Sequence, residues 1–327
     1  MGIVRVVDVS AEGAGLRAAI EATAERYTGV EDEDFLRGMP MLAALLPEHL
    51  VLALRRLMLE ESAPVTVVRG FPVPEDLAPT PLHWRAADPA ATLVPDLYLM
   101  LLGSVLGEPF GWRTLQEGRL VSSVLPIPGG EQEQTGHSSD VCLEFHGEDA
   151  FHDMRCDYLG LLCLRNPDRT PTTVGAVDLG RLPESDAAIL SQPRFRLWAD
   201  DELRRNSATL TGDEAATDWT GERVVRVLFG HPRAPYLRID PAYMRGSDEP
   251  AASALRRLAE RLGESLVDVV LEPGDACLID NYRAVHGRKP FTARYDGTDR
   301  WLRRVMVTRD LRKSRALRAS APSRVIL

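Results

Sequence analysis

Apolar residues in the first hundred positions recur at three- and four-residue spacing in AEGAGLRAAIEATAERY, PEHLVLALRRLMLEES and PDLYLMLLGSVLG. That spacing predicts three amphipathic helices, with VTVVRGF as a strand between the second and the third. From about Leu120 the texture changes to short β-type runs divided by Gly, Pro, Asn and Asp: LVSSVLPI, VCLEFH, YLGLLCL, TTVGAVDL, RVVRVLF, YLRID, ACLID and RRVMVT. Eight such runs predict a jelly roll or a related barrel. Two helical stretches interrupt them, PESDAAILSQ and EPAASALRRLAERLGESLVDVV, and residues 199–222 form a long polar segment of the kind that often covers a site as a lid. The expected fold is α+β: a double-stranded β-helix (jelly-roll) core with flanking N-terminal helices and a lid insertion. One domain is expected over 1–327, with 1–110 as a mainly helical flank and 111–316 as the core.

Composition narrows the partner. A net charge of -9 argues against nucleic acid and anionic membrane, because binding phosphate needs a positive surface field. A small molecule is the expected ligand. No apolar run approaches the roughly 18 residues that cross a bilayer, and MGIVRVVDVSAEG lacks the features of a signal peptide, so a cytoplasmic location is expected. Cys142, Cys156, Cys163 and Cys277 show no CxxC spacing and are expected as buried free thiols. No oligomeric state follows from the sequence.

The candidate chemistry centres on LEFHGEDAFH, where His146 and Glu148 stand two apart. If VCLEFH continues as a strand, both side chains point to one face. His286, in LIDNYRAVHGRKPF, supplies a second imidazole far downstream. Two His and one carboxylate leave three coordination positions open, the arrangement of non-haem Fe(II) oxygenases. Downstream, DRWLRRVMVTRD carries Arg300 and Arg304, which would share one strand face with Leu302 between them, about 13 Å apart. That separation is too great for one carboxylate, so the pair is expected to grip two different acids. On residues alone, a His₂Glu zinc hydrolase and a metal-free binding barrel stay open.

The HGE motif, the distal HG, an Arg fourteen residues after His286 and DGTDRWLRRVMVTRDLRKSRA together resemble the clavaminate synthase-like Fe(II)/2-oxoglutarate-dependent oxygenases. The likeness is greatest to the amino-acid 3-hydroxylases acting on arginine and asparagine, and it covers roughly 112–316. It implies a single oxygenase domain that uses Fe(II), 2-oxoglutarate and O₂ to hydroxylate a free L-amino acid, expected at C3, in natural-product biosynthesis. C4 hydroxylation and desaturation are the alternatives within the class. By the same resemblance His146, Glu148 and His286 bind the metal, and Arg300 with Thr173 holds 2-oxoglutarate. Arg304 would take the substrate α-carboxylate, while Gln116, Glu148, His137 and Ser138 would meet its α-amino end. Asp240 would receive a polar or cationic side chain. One departure stands out: where the arginine hydroxylases have a second acid two residues after the first, this chain has Ala242, preceded by Pro241.

Overall fold

In the computed structural model, which describes residues 2–74, 76–178, 182–207 and 221–327, a strand precedes the helices. β1 (Val4–Asp8) is followed by α1 (Gly13–Ala24), α2 (Glu33–Leu42) and α3 (Glu48–Leu59), then β2 (Val65–Arg69), α4 (Leu93–Leu106) and β3 (Glu108–Trp112). Next come β4 (Val121–Val124), β5 (Leu143–His146), β6 (Tyr158–Arg165), β7 (Thr172–Gly175), α5 (Glu184–Leu190), β8 (Phe195–Trp198) and α6 (Asp201–Ser207). The chain continues through β9 (Glu222–Val225), β10 (Leu228–His231), β11 (Ala234–Leu237), β12 (Met244–Gly246), α7 (Glu249–Ser265) and β13 (Val267–Val269). It ends with β14 (Ala276–Asp280), β15 (Val285–Arg288), β16 (Trp301–Thr308) and β17 (Val325–Ile326).

Two sheets carry the site. The larger runs β1-β2-β14-β6-β16-β3-β17, with β4 also paired to β16; the smaller runs β13-β7-β15-β5. They enclose one core in which Leu161, Cys163, Ile279, Leu302 and Met306 of the larger sheet meet Val174 and Val285 of the smaller. This is a jelly-roll type of arrangement. The outer face of the larger sheet is apolar too: Leu162, Leu278, Val305 and Val307 pack with Leu97, Leu99 and Leu101 of α4. A helix buried nearly all round, as α4 is, reads as continuously apolar rather than striped.

Strand alternation then dictates where the charges of β16 go. Arg303 faces the helices, where Asp96 of α4 receives it at 2.7 and 2.8 Å. Arg300, Leu302 and Arg304 face inward and line a common cavity. Cys156, Cys163 and Cys277 are buried free thiols, as expected, whereas Cys142 is exposed.

The structure departs from the sequence expectation in several places. The helix expected to run through LVDVV ends at Ser265, because Val267–Val269 pairs with β7 as β13. Helix α2 was not foreseen: Gly38 and Pro40 interrupt its pattern, while Asp32 caps it by accepting from Asp34 N and Phe35 N. Strands β1, β3, β8, β12, β15 and β17 were also missed. Of the segment expected as a lid, α6 is described and 208–220 lie outside the described residues.

Candidate active site

β5 and β15 are antiparallel neighbours in which His146 and His286 are direct register partners. The close approach depends on Gly287. A Cβ there would lie 2.5 Å from Leu143 O and 3.2 Å from Phe145 N, so only glycine lets the β5 backbone in. The two imidazoles consequently meet with ring centroids 4.5 Å apart.

Glu148 joins them by a route that differs from the expected one. β5 stops at His146, so simple alternation along a strand does not aim the carboxylate. Instead Gly147 N bonds Ile239 O at 2.9 Å, and the side chain of Asn281 holds Glu148 N and O at 2.7 and 3.0 Å. From that anchored turn, Glu148 Oε2 reaches within 3.7 Å of His146 Nε2 and 3.2 Å of His286 Nε2. One ligand atom from each residue lies within 4.8 Å of the others, and no other such group occurs among the described residues.

The donor set suits a divalent cation. His146 Nδ1 lies 2.8 Å from Glu144 O, which orients the ring and leaves Nε2 for a metal. Nδ1 of His286 is buried with no partner among the described residues. Burial opposes ionisation of Glu148, but the Arg304 guanidinium and the two imidazoles outweigh it and hold the carboxyl well below its usual value. Burial likewise opposes a charge on His146, yet the contact to Glu148 and the field of Asp240 raise it to about 9. His286 moves down, through burial first and the charge of His146 second. A divalent cation bound here would displace any proton from the imidazoles and keep the carboxylate and both rings as its ligands.

Beside the triad lies a cavity walled by Leu161, Thr172, His286, Arg288, Arg300, Leu302 and Arg304. Arg300 is buried and donates to Thr172 Oγ1 at 3.0 Å; its Nε has no partner, and no carboxylate pairs with it among the described residues. Burial pushes its pKa down to about 10. Arg288, also buried, donates to Ser138 O, Ser138 Oγ and Val141 O, all neutral acceptors. Burying a cation without a counter-ion is costly, so this end of the cavity is built for an anionic ligand.

Thr173 is not the residue at that spot. In the β7/β15 register Thr172 opposes Arg288 and Thr173 opposes Gly287. Opposed residues share a face, so Thr172 points to the cavity with Arg288 and Thr173 points away.

On the other side of the triad a second cavity is bounded by Trp112, Thr114, Leu115, Gln134, Thr135, Gly136, Trp198 and Leu203. Five carboxylates line it, Glu148, Asp149, Asp200, Glu202 and Asp240, against one guanidinium, Arg304. Burial raises Asp200 to about 6, with Glu202 and Asp240 adding to the effect, and raises Asp149 to about 7, with Glu148 adding to it. Burial also raises Asp240, although His146 and the amides of Tyr243 and Ala242 oppose it. The cavity is therefore set for a cation. Arg304 stands between the two cavities, donating to Glu148 Oε1 at 2.7 Å and Ser122 Oγ at 3.1 Å.

Of the expected substrate contacts, Gln116 and Ser138 sit behind the wall, while His137 stands at its edge with Nε2 3.7 Å from Glu202 Oε1. Gln116 spends its amide on the backbone of Ser123, at 2.7 and 2.9 Å, because positive φ at 116 and 117 turns it toward β4. His137 is bonded to Leu125 O at 3.1 Å, and Ser138 donates to Thr135 O at 2.9 Å. The preceding residues Gln134, Thr135 and Gly136 face the cavity in their place. His152 stacks on Trp112 at 3.8 Å and is not among the convergent ligands. Asp149, Thr172, Asp200, Glu202, Asn281 and Arg288 were missed in the sequence. Arg288 carried a signal, being two residues from His286 on one strand face.

A larger cavity, about 1190 Å³, opens elsewhere between α2, the end of β16 and the C-terminus. None of the convergent ligands reaches it, so volume does not identify the reactive site here.

Comparison with known proteins agrees with this geometry. Residues 196–306 match the taurine catabolism dioxygenase TauD, TfdA family. The chain is 42% identical to an enduracididine beta-hydroxylase of Streptomyces hygroscopicus, over 94% of this chain and 96% of that one. It is 42% identical to an L-ornithine/L-arginine 3-hydroxylase of Catenulispora acidiphila, over 93% and 94%. Among solved structures, the non-heme iron oxygenase OrfP in complex with Fe, succinate and (3S)-hydroxy-L-Arg superimposes with a TM-score of 0.94 at 39% identity, covering 99% of this chain and 100% of that one.

Proposed function

This chain belongs to the TauD/TfdA family of Fe(II)- and 2-oxoglutarate-dependent oxygenases, and from that premise we propose that it hydroxylates C3 of a free L-amino acid with a cationic side chain, of the arginine type. The observation that carries the substrate class is the excess of carboxylates around the second cavity, with Asp200 and Asp240 together on its wall. Asp200 supplies the second anionic partner that Ala242 cannot, so a guanidinium still meets two acids.

His146, Glu148 and His286 would hold Fe(II), and Arg300 with Thr172 would hold the distal carboxylate of 2-oxoglutarate. The bound metal, 2-oxoglutarate and O₂ supply the oxidising power that turns a C–H bond into C–OH, with succinate and CO₂ as the other products. The chain's own part is placement. Arg304 takes the α-carboxylate beside Glu148, Asp200 and Asp240 take the far end, and the amino acid is stretched so that its first side-chain carbons pass the triad. Trp198, Leu203 and Phe151 give the apolar walls that exclude water.

The segment beginning at Ala199 serves as a lid in this reading. α6 brings Glu202 and Leu203 to the cavity and is fastened by Arg205, which bonds Glu133 at 2.6 and 2.8 Å. Residues 208–220 of the expected lid lie outside the described residues. The whole chain acts as one catalytic unit in the cytoplasm, where free amino acids and 2-oxoglutarate are available, within a natural-product pathway. Incubating the protein with Fe(II), 2-oxoglutarate, O₂ and single amino acids tests this. Arginine-type substrates should gain one oxygen atom by mass; oxidation confined to neutral amino acids would overturn the substrate assignment.

A further inference from the structure

Asn281 lies in the turn between β14 and β15, five residues before His286 and 133 positions from Glu148. Its side chain is buried, and its Oδ1 accepts from Glu148 N at 2.7 Å while Nδ2 donates to Glu148 O at 3.0 Å and Cys156 O at 2.9 Å. A primary amide paired to both polar groups of one residue imitates a neighbouring strand. Glu148 needs that imitation, because β5 ends at His146 and offers it no ladder partner.

Asn281 is itself held rigidly. Its N donates to Asp157 O at 2.9 Å, and its O accepts from Arg155 Nη1 at 3.1 Å. Arg155 also donates to Leu237 O at 2.7 Å, which ties the same turn to the chain that leads to Asp240. The Glu148 carboxylate, by contrast, is pulled from two sides, by Arg304 on Oε1 at 2.7 Å and by His286 on Oε2 at 3.2 Å. With its backbone loose, the carboxylate could follow Arg304 and leave the imidazoles.

We infer that Asn281 is a positioning residue for the metal site: its amide fixes the backbone of Glu148 so that the carboxylate from one motif meets the imidazole of His286 from the other. This rests on the reading of His146, Glu148 and His286 as an Fe(II) site. It assigns to one amide the coupling between two distant stretches of sequence.

The test is a Co(II) titration of the full chain, Co(II) serving as a redox-stable stand-in for Fe(II), followed by binding heat and by visible absorption. Asn281→Ala removes the clamp. Asn281→Asp keeps an acceptor for Glu148 N but loses both donors, and serves if the alanine variant does not fold. Leu54→Ala, in the helical layer remote from the site, is the control for lost stability. The folded Asn281 variants should bind Co(II) 10–100-fold more weakly than the parent, the usual penalty for losing a residue that orients a ligand, with a changed absorption envelope. Leu54→Ala should melt earlier yet keep the parent's affinity and spectrum. Parent-like affinity and spectrum in a cooperatively folded Asn281 variant would overturn the inference and leave the metal site standing. No binding of either Co(II) or Fe(II) by the parent chain would overturn the metal reading and this inference with it.

Discussion

Arg304 Nη1 bonds Glu148 Oε1 at 2.7 Å, so the guanidinium facing the acid-lined cavity is joined directly to the carboxylate of the metal triad. The other oxygen of Glu148 serves the imidazoles. One carboxylate thus touches the groups assigned to metal and to substrate, and Arg304 contributes to both.

Replacing Arg304 should tell most on the substrate. In Arg304→Met the KM for the amino acid should rise about 100-fold or more, since breaking a buried charge pair costs about 3–5 kcal/mol. The dissociation constant of 2-oxoglutarate should change far less. Steady-state kinetics with each substrate varied in turn makes the comparison, and equal effects on both would contradict the assignment.

The reverse split is expected at Arg300. It is buried, bonded to Thr172 and without a carboxylate partner among the described residues. In Arg300→Met, 2-oxoglutarate binding should weaken by roughly 100-fold, about 2–3 kcal/mol for lost charge-assisted hydrogen bonds. Calorimetry with the metal-loaded protein under nitrogen reads it directly. Thr172→Val should show a smaller loss of the same kind, and Thr173→Val should show none.

Acidity should tune substrate binding through Asp200. Burial, with Glu202 and Asp240 adding to it, raises that carboxyl to about 6, so it takes up a proton as pH falls through that value. A protonated acid no longer attracts a guanidinium. The KM for an arginine-type substrate should therefore rise as pH drops from 7 to 5, while Asp200→Asn should show a high KM with a flatter profile across the same range. A profile unchanged by that substitution would remove Asp200 from the substrate site.

Gly287→Ala addresses the frame rather than the chemistry. Its Cβ would meet Leu143 O at 2.5 Å, and backbone cannot swing aside as a flexible side chain can. The variant should lose about 1–3 kcal/mol in denaturant unfolding. Because β5 must retreat from β15, separating His146 from His286, it should also bind metal less tightly. A variant as stable as the parent would show that the strands have room to spare.

The triad was legible because histidine is scarce, with seven in the chain, and a resemblance joined His146 and Glu148 to His286 across the chain. The two arginines were legible from strand period alone, since Arg303 had to face the helices if Arg304 faced the core. Thr173 was one place out of phase: a register between β7 and β15 is set by pairing, and no local pattern reveals it. Gln116 and Ser138 were near the cavity in sequence, but positive φ at Gln116 and hydrogen bonds to backbone turned their side chains away, and His137 reaches only its rim beside Glu202. Asp200 and Asp149 stood unnoticed because acidic residues are common in this chain, and only burial beside one another distinguishes them. Asn281 gave no signal, since an amide that braces a distant backbone looks like any turn residue.

The most direct test of the central claim is an anaerobic titration of Fe(II) into the protein with 2-oxoglutarate present, read by visible absorption. The account predicts a charge-transfer band that grows to saturation at one iron per chain, is absent in His286→Ala and in Glu148→Ala, and needs far more 2-oxoglutarate in Arg300→Met. A chain that gives no such band, or one whose band survives the loss of His286, would contradict it.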